Sequence, residues 1–371
     1  MAMTECRVVA RALMIIASDH RRGAETFAVA LADALRSTGD TSTVVALSGN
    51  GGRDDVDVEV MGRSRWDPRG LVRLVRLAHV HDVVVGHGSS SLLNGAAVAA
   101  IARRPFVYRN IGDPSAWGVR RGADLRIGAP LRRAASVAAL YDVARSELCR
   151  RYRLDPRRVR TIPNAVDVHR FAPATSAGRS ARRSALGLDP ALRWVGCVGA
   201  LSEEKRVHLA IDAVARIAEL GLVVAGDGPE RDAARRHADD VAPGRVVFLG
   251  SVPDVETVYE AIELLLLPSR TEGLPAVVIE ASLCCVPVVA APVGGLPEVV
   301  VDGVTGVLAD PADGIAFDRA ITEALSRSAE LGAAARRHAA RRFSMESVSE
   351  AWSALLDDVT ASGGRRAARG T

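Results

Sequence analysis

The chain has 371 residues, of which 48% are hydrophobic, 25% charged and 4% aromatic, with a formal net charge of +4. A single core stops growing near roughly 250–300 residues, so about two domains are expected, and the ordinary mix of charged and aliphatic residues excludes a disordered chain, a collagen-like repeat and a disulfide scaffold. The longest apolar runs, 13–17 and 261–268, fall short of the roughly 20 residues that span a bilayer.

The first 22 residues hold one short apolar stretch between charges and no A-x-A-like cleavage site, which reads as a first core strand rather than a signal peptide. A cytoplasmic chain is therefore expected. In the first half, short aliphatic runs at 12–17, 43–47, 82–86, 105–109, 135–140 and 159–162 alternate with helical patterns, the pattern of βαβ units and parallel sheets. After the first run, Phe27, Leu31, Ala34 and Leu35 recur at helical spacing and Gly39 stands where a C-terminal cap belongs.

Between 171 and 192 the sequence turns to Ala, Ser, Gly, Pro and Arg and strand patterning is lost, which reads as a linker. A second series follows at 194–199, 222–226, 245–249, 263–267, 287–291 and 306–309. The strands are near-continuous apolar runs, as expected when both faces of a sheet are covered. Val348, Trp352, Leu355 and Leu356 then share one helical face, and 362–371 has nothing to bury and is expected to be disordered. The resulting domain plan is 1–170, a linker at 171–192, 193–345, a terminal helix at 346–361 and the tail.

Cys6, Cys149, Cys197, Cys284 and Cys285 form no C-x-x-C pair, so neither a metal site nor a disulfide framework is expected. The net charge conceals an arginine-rich stretch: residues 120–160 hold twelve arginines against four acidic residues. It reads as a solvated face or as a surface for an anionic substrate or anionic lipid. Its only aromatic residues are Tyr141 and Tyr152, too few to make a stacking platform, so nucleic acid is not expected.

In open α/β sheets ligands bind beyond the carboxyl ends of strands, so the residues that follow strands carry the functional argument. The richest such stretch is 263–300, where Glu272 stands in the loop after a strand and Glu280 lies in the apparent helix that follows. The free N–H groups of that helix start favour phosphate or sugar oxygens. Two readings stay open from the residues alone: both carboxylates face one pocket, or Glu272 caps the helix and Glu280 is solvated. A metal-binding D-x-D is matched only by Asp55-Val56-Asp57, which lies in an alternating stretch and reads as a strand or loop with one solvated face. No G-x-G-x-x-G follows the first strand, which discounts a dinucleotide oxidoreductase.

The segment E-G-L-P-A-V-V-I-E at 272–280, with G-G-L-P-E at 294–298, resembles the E-x7-E signature of the retaining nucleotide-sugar glycosyltransferases of family 4. Four further segments resemble that family in order: R-G-A-E at 22–25, I-P-N-A-V-D-V-H-R-F-A-P at 162–173, V-G-A-L-S-E-E-K-R at 198–206 and A-G-D-G-P-E at 225–230. The resemblance implies the GT-B fold, in which two Rossmann-like domains with parallel sheets face a central cleft and the C-terminal helix crosses back to the N-terminal, acceptor-binding domain. It implies transfer, with retention and without a metal, of a hexose or N-acetylhexosamine from a nucleoside-diphosphate sugar to a hydroxyl of a lipid, glycan or small metabolite.

By the same resemblance, Glu272 holds donor-sugar hydroxyls, Lys205 neutralises the diphosphate, and Gly273, Leu274 and Pro275 offer main-chain donors to the sugar and distal phosphate. Glu280 accepts from the ribose, Gly23 admits the diphosphate, and Ser251 and Val252 touch the base through their main chain. The sequence departs from the family at Ala200, where an arginine is usual, and after the run 105–109, where a histidine is usual and Asn110 or Ile111 stands. Loss of one charge-assisted contact costs roughly 1.5–3 kcal/mol if nothing replaces it. Arg206 is the nearest expected substitute, and Arg22 adds a positive side chain beside the turn. His87, Asn110 and Asp113 are the further candidates for acceptor or sugar contacts. An epimerase of the same fold and a non-catalytic sugar-nucleotide binder are the alternatives that these departures keep in view.

Overall fold

The computed structural model describes residues 10–20, 23–37, 39–49, 55–114 and 123–368; Cys6, Arg22 and the last residues of the tail lie outside them. The chain divides into two compact units. One is built from residues 1–164 and 345–371, the other from 165–344.

The first unit runs β1 (Arg11–Ser18), α1 (Gly23–Ser37), β2 (Thr41–Ser48), β3 (Glu59–Gly62), α2 (Pro68–His79), β4 (Val83–His87), α3 (Ser89–Ala102), β5 (Phe106–Arg109), α4 (Ala123–Arg133), β6 (Ser136–Ala139), α5 (Asp142–Tyr152) and β7 (Val159–Thr161). The strands form one parallel sheet in the order β3-β2-β1-β4-β5-β6-β7. Chain order reverses direction between β1 and β4, so the crevice at their carboxyl ends is the topological switch point. Strands β4, β5 and β6 are buried throughout, which explains their largely apolar character. Local sequence sets the helix ends: the Asp67 carboxylate accepts from the Arg69 N–H at the start of α2, with Pro68 as its first residue.

The second unit contains α6 (Ser176–Ala185), β8 (Arg193–Val198), α7 (Val207–Arg216), β9 (Leu220–Ala225), α8 (Arg231–Val241), β10 (Val246–Gly250), α9 (Glu256–Ala261), β11 (Leu264–Leu267), α10 (Ala276–Leu283), β12 (Val288–Ala290), α11 (Leu296–Val299), β13 (Gly306–Leu308), α12 (Gly314–Ser326) and α13 (Ser328–Arg342). Its parallel sheet has the order β10-β9-β8-β11-β12-β13, with the switch point between β8 and β11. Val195, Leu222, Leu264, Leu266, Ile211 and Phe317 lie in its core. The last helix, α14 (Met345–Ala368), belongs to the first unit, where it packs on α1 and β4.

Two segments differ from the expectation, and a third, around Asp55–Asp57, is the strand or loop expected. The stretch 171–192 contains α6 and lies wholly in the second unit. No residue of α6 is buried; Arg182 pairs with Glu260, and Arg183 pairs with Glu263 and donates to the Ala261 carbonyl. The helix is thus fastened by charge rather than by an apolar face. The stretch around Asp55–Asp57 leads into β3, an edge strand whose Glu59 pairs with Arg73. Finally, α14 continues through residues 362–368; once a packed helix is nucleated, each further turn adds hydrogen bonds at little cost.

Candidate active site

In the second unit the turn after β8 and the loop after β11 meet at the switch point. Tight main-chain packing positions the first of these turns. Gly199 donates to the Ala225 carbonyl and Leu201 to that of Asp227. A Cβ on Gly226 would sit 1.8 Å from the Gly199 oxygen and one on Gly228 2.3 Å from the Leu201 oxygen, so A-G-D-G-P is required for one turn to lie on the other.

The chain then forms a single turn of 3-10 helix, Glu203–Lys205, and Arg206 takes a left-handed conformation before α7. This carries Lys205 toward the β11 loop, where its Nζ lies 2.6 Å from Glu272 Oε1. Ser269 Oγ, fully buried, donates to the same oxygen at 2.6 Å. Glu272 is itself buried, and a Cβ on Gly294 would meet its carbonyl oxygen at 1.8 Å, so the second glycine-rich turn holds the Glu272 backbone from behind. Gly295 donates to the Gly273 carbonyl, Leu274 is buried, and Pro275 directly precedes the first residue of α10. A shallow hollow lined by Gly199, Ala200, Leu201, Lys205, Pro268 and Ser269 lies at the ends of β8 and β11.

Glu280 sits on α10 and accepts a hydrogen bond from the buried Tyr259 hydroxyl at 2.7 Å. Burial raises the Glu280 carboxyl above the ordinary carboxylate range, while the Tyr259 hydroxyl and the charge of Arg170 oppose the rise. Ser251, exposed, and Val252 follow β10. Arg206 has a different employment from the one expected. Its Nε donates to the Pro268 carbonyl at 2.8 Å and its Nη2 to the Ser269 carbonyl at 2.9 Å, so it fastens the β11 exit instead of standing in for the arginine missing at Ala200.

Sequence reasoning singled out Lys205, Glu272 and Glu280 but not their partners Ser269 and Tyr259. Ser269 stands three residues before Glu272, a spacing that only a turn converts into contact, and Tyr259 reads as ordinary helix core.

In the first unit, Gly23 opens α1, exposed and with open space where a Cβ would be. His87 closes β4 and is buried against Trp352 of α14, ring centroids 6.0 Å apart. Neither ring nitrogen has a hydrogen-bond partner among the described residues, and burial, with a smaller contribution from Arg109, holds the imidazole well below its ordinary pKa, so it is neutral. Asn110 follows β5 with its main-chain N–H on the Ala138 carbonyl and its buried side chain unpartnered; Asp113 is partly exposed.

Arg109 was not expected here, because it falls inside an apolar strand run. It is fully buried, its guanidinium 3.8 Å from the Phe27 ring centroid and hydrogen-bonded to Asn164. Burial pulls it down to about 9, against the opposing charge of Glu25. The arginine-rich stretch is also largely employed internally. Arg145 holds the Pro156 and Val159 carbonyls, Arg151 that of Pro114 and Arg158 that of Ala135, while Arg150, Arg157 and Arg160 pair with Glu147, Asp155 and Asp358.

Two Rossmann-like units with parallel sheets, one with a lysine and a carboxylate converging at the switch point beside a helix start, define the GT-B class of glycosyltransferases. Residues 193–327 match the family described as Glycosyl transferases group 1, and residues 21–170 match Glycosyltransferase Family 4. Together these matches take in more than half of the chain, which belongs to the family 4-like glycosyltransferases.

Among curated relatives, the D-inositol 3-phosphate glycosyltransferase of Mycobacterium sp. strain KMS is 39% identical over 196 residues, 50% of this chain and 44% of the relative. The protein of the same name from Mycobacterium marinum is 36% identical over 233 residues, 58% of this chain and 48% of the relative. The chain spans about half the length of the curated relatives it matches. Among solved structures, Anabaena HepE in complex with UDP aligns with a TM-score of 0.83 at 24% identity, covering 94% of this chain and 100% of that one. Sucrose-phosphate synthase from Thermosynechococcus elongatus aligns with a TM-score of 0.78 at 20% identity, covering 95% and 100%. These likenesses establish the fold. Among the described residues, no helix is long and apolar enough to cross a membrane.

Proposed function

We propose that the chain transfers a hexose or N-acetylhexosamine from a nucleoside-diphosphate sugar to a hydroxyl of a phosphorylated or otherwise anionic acceptor, with retention and without a metal in the transfer step. The observation that carries this reading is the Lys205–Glu272–Ser269 group: one cation and one carboxylate held 2.6 Å apart at the mouth of a hollow, with a helix start beside them. The departing diphosphate gathers negative charge in the transition state, and a lysine already fixed in place stabilises it without reorganisation. Glu272 is anchored by Ser269, so it keeps its position when Lys205 turns to the phosphates, and its other oxygen is available to sugar hydroxyls.

Gly23, Ser251, Val252 and the main chain of Gly273 to Pro275 complete the donor contacts in this proposal, and Glu280 takes the ribose. His87, Asn110 and Asp113 serve the acceptor side. A nucleoside-diphosphate donor is supported by the UDP named for HepE, and an anionic acceptor by the inositol phosphate in the curated relatives' name. The arginine-rich stretch adds less to a membrane or acceptor surface than its charge suggests, because at least six of its twelve arginines already hold carbonyls or carboxylates.

The test is turnover with a donor found by thermal-shift screening against a phosphorylated and a neutral acceptor panel. Lys205→Ala and Glu272→Gln are each expected to lower kcat by about 100-fold or more, the scale of losing one transition-state stabiliser, with the fold intact by circular dichroism. Full activity in both variants overturns the site. Donor consumed without any acceptor to give an epimer favours the epimerase. Tight donor binding without transfer or hydrolysis across the panels makes the chain a binder.

A further inference from the structure

We propose that Asp19, His20 and Asp55 form a binding site for a divalent cation of the zinc and manganese class, at the carboxyl end of β1. Each residue offers one ligand atom, and the three atoms lie within 4.8 Å of one another. Metal ions of this class, with bonds of roughly 2.0–2.2 Å, place their ligand atoms about 3–4 Å apart, a closure that small side-chain rotations supply.

The backbone builds the group. His20 and Asp55 form an isolated antiparallel bridge, and the Val56 N–H donates to the Asp19 carbonyl at 2.7 Å. The turn after β1 is thereby tied to the segment that leads into β3. His20 Nδ1 stands 3.0 Å from Asp55 Oδ1, which holds an imidazole and a carboxylate side by side as two ligand groups.

The second, independent sign of a ligand is Asp19. It is nearly fully buried, 5% exposed, and its Oδ1 has no hydrogen-bond partner among the described residues. An ionised carboxylate taken out of water without a partner costs several kcal/mol, so something positive is called for at that oxygen. Space is reserved for this carboxylate: a Cβ on Gly49 would stand 2.1 Å from Asp19 Oδ2. One imidazole with two carboxylates suits zinc or manganese better than the all-oxygen preference of magnesium or calcium. Three protein ligands also leave a coordination position for water or an anionic oxygen.

The three residues belong to the first unit and the Lys205–Glu272 group to the second, and the binding test is independent of transferase activity. The full chain, stripped with chelator and exchanged into chelator-free buffer, is titrated with Zn²⁺ and with Mn²⁺ by calorimetry, with Mg²⁺ as the contrast. Co²⁺ absorption reports whether cysteine thiolates are involved. One equivalent of Zn²⁺ or Mn²⁺ without a thiolate band, and a rise in Tm on adding it, are expected. Asp19→Asn and His20→Gln are each expected to weaken binding by more than roughly tenfold, the upper end of what changes to outer-sphere partners bring being larger still. His20 is 38% exposed at its side chain, so His20→Gln folds even where a change at buried Asp19 does not. Absence of binding in the unchanged chain, binding undiminished in both variants, or a thiolate spectrum overturns the proposal.

Discussion

Tyr259 and Glu280 make opposite demands on each other. Burial favours the neutral acid at Glu280, whereas the Tyr259 hydroxyl, donating at 2.7 Å, favours the carboxylate. If Glu280 accepts from the donor ribose, donor affinity falls as pH drops through its raised pKa, above the ordinary carboxylate range. Fold stability moves the other way: the native state holds the proton more tightly than the unfolded chain, so this group adds stability as pH falls through the same region. Tyr259→Phe removes the group that favours ionisation, so the acidic limb of the affinity profile should move to higher pH. Well above that limb the donor Kd should rise by about 3- to 10-fold, the equivalent of one hydrogen bond. Calorimetric titration with donor from pH 5 to 9 checks both, and an unmoved acidic limb removes Tyr259 from the donor site.

At the scale of elements, α14 shows how much of the fold is carried by one apolar face. Val348, Trp352, Leu355, Leu356 and Val359 are all buried, and Ser353 donates to Asp40 at 2.7 Å, whose other oxygen accepts from the Ala10 N–H. Trp352→Ala should cost about 3–5 kcal/mol and uncover His87, whose imidazole then titrates nearer its ordinary range. Urea unfolding checks the first effect and the His87 ring proton shift against pH the second.

The same face was legible in the sequence because it repeats at helical spacing, just as the central strands were legible because covering both sides of a sheet demands unbroken apolar runs. Where fastening is polar the pattern disappears. Helix α6 is held by Arg182 and Arg183 on Glu260 and Glu263 and carries no apolar stripe. Arg109, fully buried, is hidden inside a strand run. Lys205 and Glu272 were found through motif resemblance, but their contact across 67 positions depends on tertiary structure, and so did the gathering of Asp19, His20 and Asp55.

For the whole molecule, the two units differ in how the chain makes them. Residues 165–344 form the second unit without interruption, whereas the first needs both 1–164 and the segment from Met345 onward. The five buried apolar residues of α14 contribute about 1.5–3 kcal/mol each as an upper estimate, which together rivals the roughly 5–15 kcal/mol net stability of an entire domain. The fragment 165–344 should therefore unfold cooperatively on its own and keep whatever donor nucleotide affinity resides in the Lys205–Glu272–Glu280 group. The fragment 1–164 should not fold stably, because the surface of α1 and β4 that α14 covers is left bare. Joining residues 345–371 to it through a flexible linker should restore a cooperative melt, and the same joined chain carrying Trp352→Ala should melt markedly lower. Circular dichroism melts of the four chains decide the matter. A stable, cooperative 1–164 fragment would mean that α14 is an accessory to the first unit and that its buried face stabilises little beyond the helix itself.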